Sequence, residues 1–159
     1  MKKYELTAEF IEKWGKKLFR IKALISFGSV EVGELGGYVE KEDNLAQDGN
    51  AWVYGNARVC GDAEVYGDAK VCGDADYLLI GRIGSRFSFT TFFKNKDKGI
   101  TVSCGCFLGT IAEFRAKVSD THGNNKHAKI YNLAADMAEL QILGEEHFEN
   151  LNTNKSEPF

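Results

Sequence analysis

The stretch GNAWVYGNARVCGDAEVYGDAKVCGDAD, residues 49–76, repeats nearly the same six letters five times. A period of six does not fit a helix, but it is a multiple of the strand period of two, so equivalent positions return to one side of an extended chain. Glycine followed by Asn or Asp tolerates the left-handed backbone of tight corners. The pattern predicts short strands joined at glycine corners. The residues predicted to face inward are Val53, Val59, Val65, Val71, Ala57, Ala63, Ala69 and Ala75.

The hexad resembles the hexapeptide repeat of left-handed parallel β-helices, the fold of many acyltransferases and of bactofilin-type polymer-forming proteins. The resemblance implies triangular turns of about 18 residues, which would stack Val71 on Val53 and bring Asp76 near Arg58. The expected fold class is therefore mainly β with C-terminal α. It comprises a short left-handed parallel β-helix of about two turns, an N-terminal β cap, and a C-terminal module of a β-hairpin and two helices.

The flanking segments lack the six-residue period. The segment from Thr7 to Trp14 fits either a helix or the first arm of a hairpin that turns at Gly15, and the hairpin is favoured. Thr110 to Glu113 form a capping box that opens a helix. The predicted parts are an N-terminal cap (1–36), a repeat block (37–78), a C-terminal module (79–143) and a flexible acidic tail (144–159).

The order of these parts resembles a group of uncharacterised proteins common in phage genomes. Those proteins share an Ile-Gly-Ser-Arg turn, a Cys-Gly-Cys-Phe strand end and a Thr-His-Gly-Asn helix junction, found here at Ile83–Arg86, Cys104–Phe107 and Thr121–Asn124. The resemblance covers about residues 4–143. It implies a phage origin and an architecture, but no reaction.

Charge is segregated along the 159 residues, although the net charge is only −3. The repeat block carries three basic against nine acidic residues, a net −6, and the C-terminal module nine against five, a net +4. The sequence predicts neither a signal peptide nor an apolar membrane span, and four cysteines without a secretory signal predict free thiols in a reducing compartment. We therefore expect a cytoplasmic protein, in the host cytoplasm if the gene is carried by a phage.

The basic module contains residue types that bind anions. Ser85 and Arg86 offer a hydroxyl and a guanidinium in a turn, and helix N-termini favour negative charge. The alternative is that Arg86 is solvated or paired with the acidic repeat block. Nucleic acid is an unlikely partner because no dense basic patch with interleaved aromatics is present. The predicted ligand-binding residues are Ser85, Arg86, Thr110, His122, Asn124 and Lys126.

Catalytic and metal sites are less favoured by the sequence. Hexapeptide acyltransferases resemble one another in carrying a catalytic histidine on or near the coils, whereas this chain has none in the repeats, so His122 would have to reach across. The Cys104–Cys106 and His122–His127 spacings could suit zinc, but packing is the simpler interpretation. No catalytic residue, metal or cofactor is predicted.

Together these features predict a non-catalytic, self-associating binding protein. It would form a homodimer or trimer, because a coil of about two turns leaves unpaired strand edges at its ends, and such edges associate with other chains. It would sequester a small anionic, nucleotide-type ligand such as a host defence signal. The alternatives are a structural scaffold that polymerises or docks to a protein, and an acyltransferase.

Overall fold

The computed structural model describes residues 1–147 and 149–150, so residues 148 and 151–159 of the predicted tail lie outside the described residues. The strands are β1 (Tyr4–Lys13), β2 (Lys16–Ala23), β3 (Leu35–Val39), β4 (Trp52–Val53), β5 (Arg58–Val59), β6 (Lys70–Val71), β7 (Tyr77–Ile83), β8 (Ser88–Lys94), β9 (Ile100–Cys104) and β10 (Phe107–Thr110). The helices are α1 (Ile111–His122) and α2 (Lys126–Ala138), which a π-helical turn, Glu139–Leu143, extends.

The predicted left-handed parallel β-helix is wrong. The strands of the described residues form three separate sheets, ordered β1-β2-β3-β5, β10-β9-β8-β7 and β4-β6, and they do not build a solenoid. Each repeat strand is only two residues long, which is too short to make a continuous parallel sheet. Strand β5 joins the sheet of the N-terminal hairpin through β3, β4 and β6 pair only with each other, and Ala69 bridges to Asn95 beyond β8.

The hexad pattern still predicts local features correctly. All four predicted valines are fully buried, and Val53 pairs in parallel with Val71. Two details are wrong: Ala75 is exposed, and Arg58 pairs with Asp74 rather than with Asp76. The Asp76 carboxylate instead accepts the Cys72 N–H at 2.8 Å. Asp76 lies in a 3₁₀ turn, Asp74–Asp76, and the six-residue repeat ends at this turn.

The N-terminal segment is the predicted hairpin, with Trp14 and Gly15 forming the turn at positive φ. The next strand of the same sheet, β3, lies directly against the repeat block. A Cβ atom on Gly36 would come within 2.6 Å of the Val53 carbonyl oxygen, and one on Gly37 would overlap the Ala57 carbonyl. Only glycine permits so close an approach, and the hairpin and the repeat block therefore share one hydrophobic core.

The C-terminal sheet has two buried faces. On β8, Phe93 belongs to the core of the repeat block, whereas the adjacent Phe92 belongs to the core under the helices. Successive strand residues point to opposite faces, and β7 follows the same rule: Tyr77 and Leu79 face the repeat block, and Leu78 faces the helices. The sheet is thus a partition between two cores. No helix among the described residues is long and apolar enough to cross a membrane.

Lys3 is buried in the N-terminal core, with 1% of its surface exposed. Its Nζ donates a 2.7 Å hydrogen bond to the Ala51 carbonyl and lies 4.8 Å from the centre of the Phe27 ring. Burial lowers the pKa of Lys3 to about 8, and the attraction of Asp48 only partly opposes this. An ammonium group that is held mainly by carbonyl oxygens in a buried site loses its proton more easily than one in water.

We expect Lys3 to make the protein more stable as pH rises from 7 to 9.5. The pKa in the folded state, about 8, lies below the ordinary value of 10.5, so the unfolded chain binds more protons between these values. The free energy of unfolding should gain about 2 kcal/mol over this interval. Urea unfolding at both pH values should show the gain in the wild type but not in Lys3→Met, which cannot titrate. Equal pH dependence in the two proteins would contradict the assignment.

Candidate functional site

Tyr131 of α2 is the point at which the C-terminal module converges. Its side chain is buried, and its ring makes an edge contact with Phe114 of α1 at 5.6 Å between centroids. On another side it stacks on His122, with centroids 5.8 Å apart and an interplanar angle of 27°. His122 in turn lies 5.6 Å from the ring of His127. The ends of α1 and the start of α2 therefore form a small aromatic cluster.

The turn between β7 and β8 closes over the Tyr131 hydroxyl. Gly84 has a φ of +81°, and a Cβ atom there would overlap the Tyr131 oxygen. Glycine is required at this position both for the backbone conformation and for the close approach. Ser85 and Arg86 follow in the same turn and are exposed. The Ile-Gly-Ser-Arg motif thus holds a hydroxyl and a guanidinium beside the aromatic cluster.

The end of β9 supplies a thiol to the same place. Thr90 of β8 donates a hydrogen bond to Cys104 Sγ at 3.2 Å. Burial raises the pKa of the Tyr131 hydroxyl and the adjacent Cys104 raises it further, whereas the positive charge of Arg86 lowers it. Tyr131 therefore remains protonated at neutral pH and can donate a hydrogen bond, since the ordinary pKa of a phenol is already near 10.

A cavity of about 110 Å³ opens beside this cluster. Its volume is enough for one planar ring or one oxyanion and much smaller than the ~300 Å³ of a complete drug-sized site. The walls combine aromatic surface with one lysine, one thiol and the hydroxyls of a threonine and a tyrosine. The residues that line it include Cys104, Phe107, Lys117, Thr121, His122 and Tyr131.

The structure brings together some of the predicted ligand-binding residues and separates others. Arg86 and His122 both act on Tyr131, and Ser85 lies beside Arg86. Thr110 caps the opposite end of α1, where its hydroxyl accepts the Glu113 N–H at 3.2 Å. Twelve helical residues separate Thr110 from His122, about 18 Å. It belongs to a different surface.

The remaining two predicted residues lie near the start of α2. Asn124 and Lys126 are both exposed. The residue that caps α2 is Asn125, whose side-chain oxygen accepts the Ala128 N–H at 3.0 Å. Neither Asn124 nor Lys126 lines the cavity beside Tyr131, and neither do Ser85 and Arg86, which lie in the adjacent turn. Of the predicted set, only His122 lines the cavity.

Sequence reasoning missed Tyr131, Lys117 and Phe107. Tyr131 fits the apolar helical pattern of α2, and nothing in that pattern distinguishes a core tyrosine from a site tyrosine. The three glycine-containing motifs of the sequence were a usable signal. In the first of them Gly84 is followed by Ser85 and Arg86, and a turn that served only to pack against Tyr131 would not require these polar side chains. The zinc hypothesis gains no support: within residues 1–147 and 149–150, no group of three or more His, Cys, Asp or Glu side chains is placed to hold a metal.

Comparison with known proteins adds no second line of evidence. No protein-family model matches the chain, and no curated protein matches its sequence significantly.

A double-mutant cycle tests the contact between Gly84 and Tyr131. Gly84→Ala should lower the free energy of unfolding by more than about 2 kcal/mol, since it adds overlap with Tyr131 to a strained backbone. In a Tyr131→Leu background the overlap is removed, and the same change should cost about 1 kcal/mol less. Chemical denaturation of the four proteins measures both values.

Gly105→Ala is the matched control for this cycle. Gly105 also has positive φ, +58°, but no atom lies within 4 Å of the added Cβ. Its cost should be the same in both backgrounds. If the Gly84 cost is equally unchanged by Tyr131→Leu, the packing described here is incorrect.

Proposed function

We propose that this chain is a non-catalytic binding protein for a small planar anion of nucleotide type, held beside Tyr131. The observation that carries the proposal is a cavity lined by Cys104 of β9, His122 of α1 and Tyr131 of α2, from three separate segments. The positive charge of Arg86, in the adjacent turn, acts on the Tyr131 hydroxyl. Convergent polar groups around an apolar pocket are the usual mark of a small-molecule site. The proposal does not include a reaction.

The size of the cavity indicates how such a ligand would bind. About 110 Å³ accommodates a single ring, which would lie against the aromatic surfaces of Phe107 and His122. Stacking of a base on an aromatic side chain contributes about 1–3 kcal/mol. The charged part of the ligand would remain outside, within reach of Arg86 and Lys117. In this arrangement the exposed Arg86 and Lys117 would contact the charged group of the ligand, and the partly buried rings of Phe107 and His122 would contact its base.

The electrostatics favour an anion over a cation. The C-terminal module carries a net +4, which attracts small anions to its surface. The repeat block carries −6 and lies against the other face of the same sheet. A long polyanion would encounter both charges, whereas a mononucleotide-sized ligand would encounter only the first. The same contrast supports a small ligand over nucleic acid.

The chemistry of the cluster supports binding rather than turnover. Cys104 is hydrogen-bonded to Thr90 and adjacent to a Tyr131 hydroxyl with a raised pKa, and neither neighbour is a base at neutral pH. Lys117 and His122 line the same cavity, but neither is hydrogen-bonded to Cys104 in the described part of the chain. A nucleophilic thiol requires an adjacent base or cation to ionise it. The acyltransferase alternative depended on the β-helix, which this chain does not form, so it has no remaining structural basis.

Thermal-shift and calorimetric titrations test the proposal. The ligand panel is the single-ring nucleotides CMP and UMP together with AMP, 3′,5′-cyclic AMP and cyclic GMP, ADP-ribose and acetyl-CoA, with cytidine and adenosine as the uncharged comparisons. We expect at least one phosphate-bearing ligand to raise the melting temperature, because ligand at 100 times Kd adds about 2.7 kcal/mol to stability. Adenosine should bind at least tenfold more weakly.

Three variants locate the binding. Arg86→Ala and His122→Ala should each weaken binding of the active ligand by tenfold or more. Lys96→Ala removes an exposed positive charge at the far end of the same sheet and should leave binding unchanged. A panel in which no ligand shifts the melting temperature would overturn the proposal. A shift of equal size in all three variants would do the same.

A further inference from the structure

Strand β10 is an unpaired edge of the C-terminal sheet. It is the outermost strand in the order β10-β9-β8-β7, and its only strand partner among the described residues is β9. Natural sheet edges are commonly protected by lysine or proline, and β10, with the sequence Phe-Leu-Gly-Thr, contains neither. A free edge of this kind can accept an additional strand from another chain.

The register of the β9–β10 hairpin shows which backbone groups are available. Cys104 pairs with Phe107 across a two-residue turn, and the next pair is Leu108 with Ser103. Pairs in an antiparallel hairpin alternate between hydrogen-bonded and non-hydrogen-bonded, and the pair that closes a two-residue turn is of the first kind. The Leu108 N–H and C=O therefore point away from β9. No hydrogen bond from a turn, loop or other strand of the described residues reaches them.

Leu108 also lies between two open grooves. Its side chain is 48% exposed and lies over a corner of the repeat block, since a Cβ atom on Gly67 would be 3.5 Å from the Leu108 Cδ2 atom. The grooves on either side measure about 500 and 580 Å³, and both are lined by Leu108, Gly49 and Gly67. There is thus room for an extended segment between β10 and the corners of the repeat block.

The charged walls of both grooves are entirely acidic. No lysine or arginine is among the residues that line them. In the described part of the chain, only Glu42 of the acidic set forms an ion pair, with Lys2 at the surface. A segment with positive side chains on one face would complement this charge, and an acidic segment would be repelled. The acidic residues are Glu42, Asp43, Asp48, Asp68, Asp97 and Glu113.

We propose that the β10 edge binds an extended basic segment of another protein, which adds a strand to the sheet. The backbone of that segment pairs with the Leu108 N–H and C=O. Its alternate side chains face the repeat block, where Asp43 and Asp68 select lysine or arginine. Main-chain hydrogen bonds supply affinity in this mode of recognition, and the side chains supply specificity.

This binding is independent of the ligand proposed beside Tyr131. Phe107 packs in the core under the helices, and successive strand residues face opposite ways. Leu108 therefore faces the repeat block, whereas the cavity beside Tyr131 lies on the helix side of the sheet. Because β10 is only four residues long, the added strand makes few hydrogen bonds and the complex is weak.

Fluorescence anisotropy of a labelled peptide, Gly-Lys-Val-Lys-Val-Lys-Gly, titrated with the full chain tests the proposal. We expect saturable binding at protein concentrations up to about 1 mM, the range of weak complexes. A peptide with glutamate in place of each lysine should not bind. A peptide with methylated backbone nitrogens should bind at least tenfold more weakly, since it keeps its charge but cannot pair as a strand.

Charge variants locate the acidic wall. The double variant Asp43→Asn/Asp68→Asn should weaken binding of the lysine peptide at least tenfold. Asn is compatible with the fold at position 68, because Asn50 and Asn56 occupy the same place in their hexads. Asp62→Asn is the matched control: Asp62 also has this place in its hexad but lines neither groove. It should leave binding unchanged.

A backbone variant locates the edge. Leu108→Pro removes the outward N–H, and proline is tolerated at a sheet edge where that group faces solvent. It should weaken binding more than Leu108→Ala, which keeps the N–H, with the circular dichroism of both variants unchanged. Three results would each overturn the proposal: no binding of the lysine peptide, equal binding of the methylated peptide, or no effect of Asp43→Asn/Asp68→Asn. Self-association of the chain that is lost in Leu108→Pro would overturn the choice of a foreign partner.

Discussion

Strand β8 belongs to both hydrophobic cores of the protein, and this is the constraint on which the rest of the structure depends. Phe93 is fully buried against the repeat block and Phe92 is fully buried under the helices. Adjacent residues of a strand face opposite ways, so neither side chain can move to the other core. The sheet is also hydrogen-bonded to the repeat block, because the Thr91 hydroxyl of β8 accepts the Glu64 N–H at 3.0 Å. The two halves of the chain are therefore joined through one sheet.

The candidate site follows from the same sheet. The β7–β8 turn places Gly84 and Arg86 beside Tyr131, and the end of β9 places Cys104 there. Helices α1 and α2 lie on the helix-facing side and complete the cluster with His122. Because every element that contributes a side chain either belongs to the sheet or packs on it, the geometry of the site is fixed by the core. The acidic repeat block, on the opposite face, stabilises this platform without contributing a residue to the cavity.

The sequence was informative about local structure and less so about pairing. The hexad identifies Val53 and Val71 as buried, since burial depends on the period of the strand. The expected stacking of Val71 on Val53 is also found, but the pairing of β5 with β3 of the N-terminal hairpin is not predicted. Strands β4 and β6 pair only with each other, whereas β5 joins the longer β3, and Ala69 bridges to Asn95 beyond β8. The prediction of a single solenoid failed for this reason.

The same division applies to the site. Arg86 could be selected because a guanidinium beside a Gly-Ser turn, in a module of net charge +4, suits an anion. His122 could be selected as one of only three histidines in the chain. Thr110 was selected by a correct capping argument, yet that cap lies at the wrong end of α1. Tyr131 was not recognised because its position in the helical pattern is that of a core residue. Its role depends on long-range contacts with Gly84 and Cys104, which no local pattern encodes.

The central claim, that a single sheet joins the two cores, is tested most directly by following unfolding in urea with two probes. Trp52 is fully buried in the repeat-side core, so its fluorescence reports on that core in a Trp14→Phe background. Circular dichroism at 222 nm reports on α1 and α2. Coincident transitions are expected, because Phe92 and Phe93 cannot leave their cores independently. Loss of the helical signal at a clearly lower urea concentration than the Trp52 signal would contradict the account.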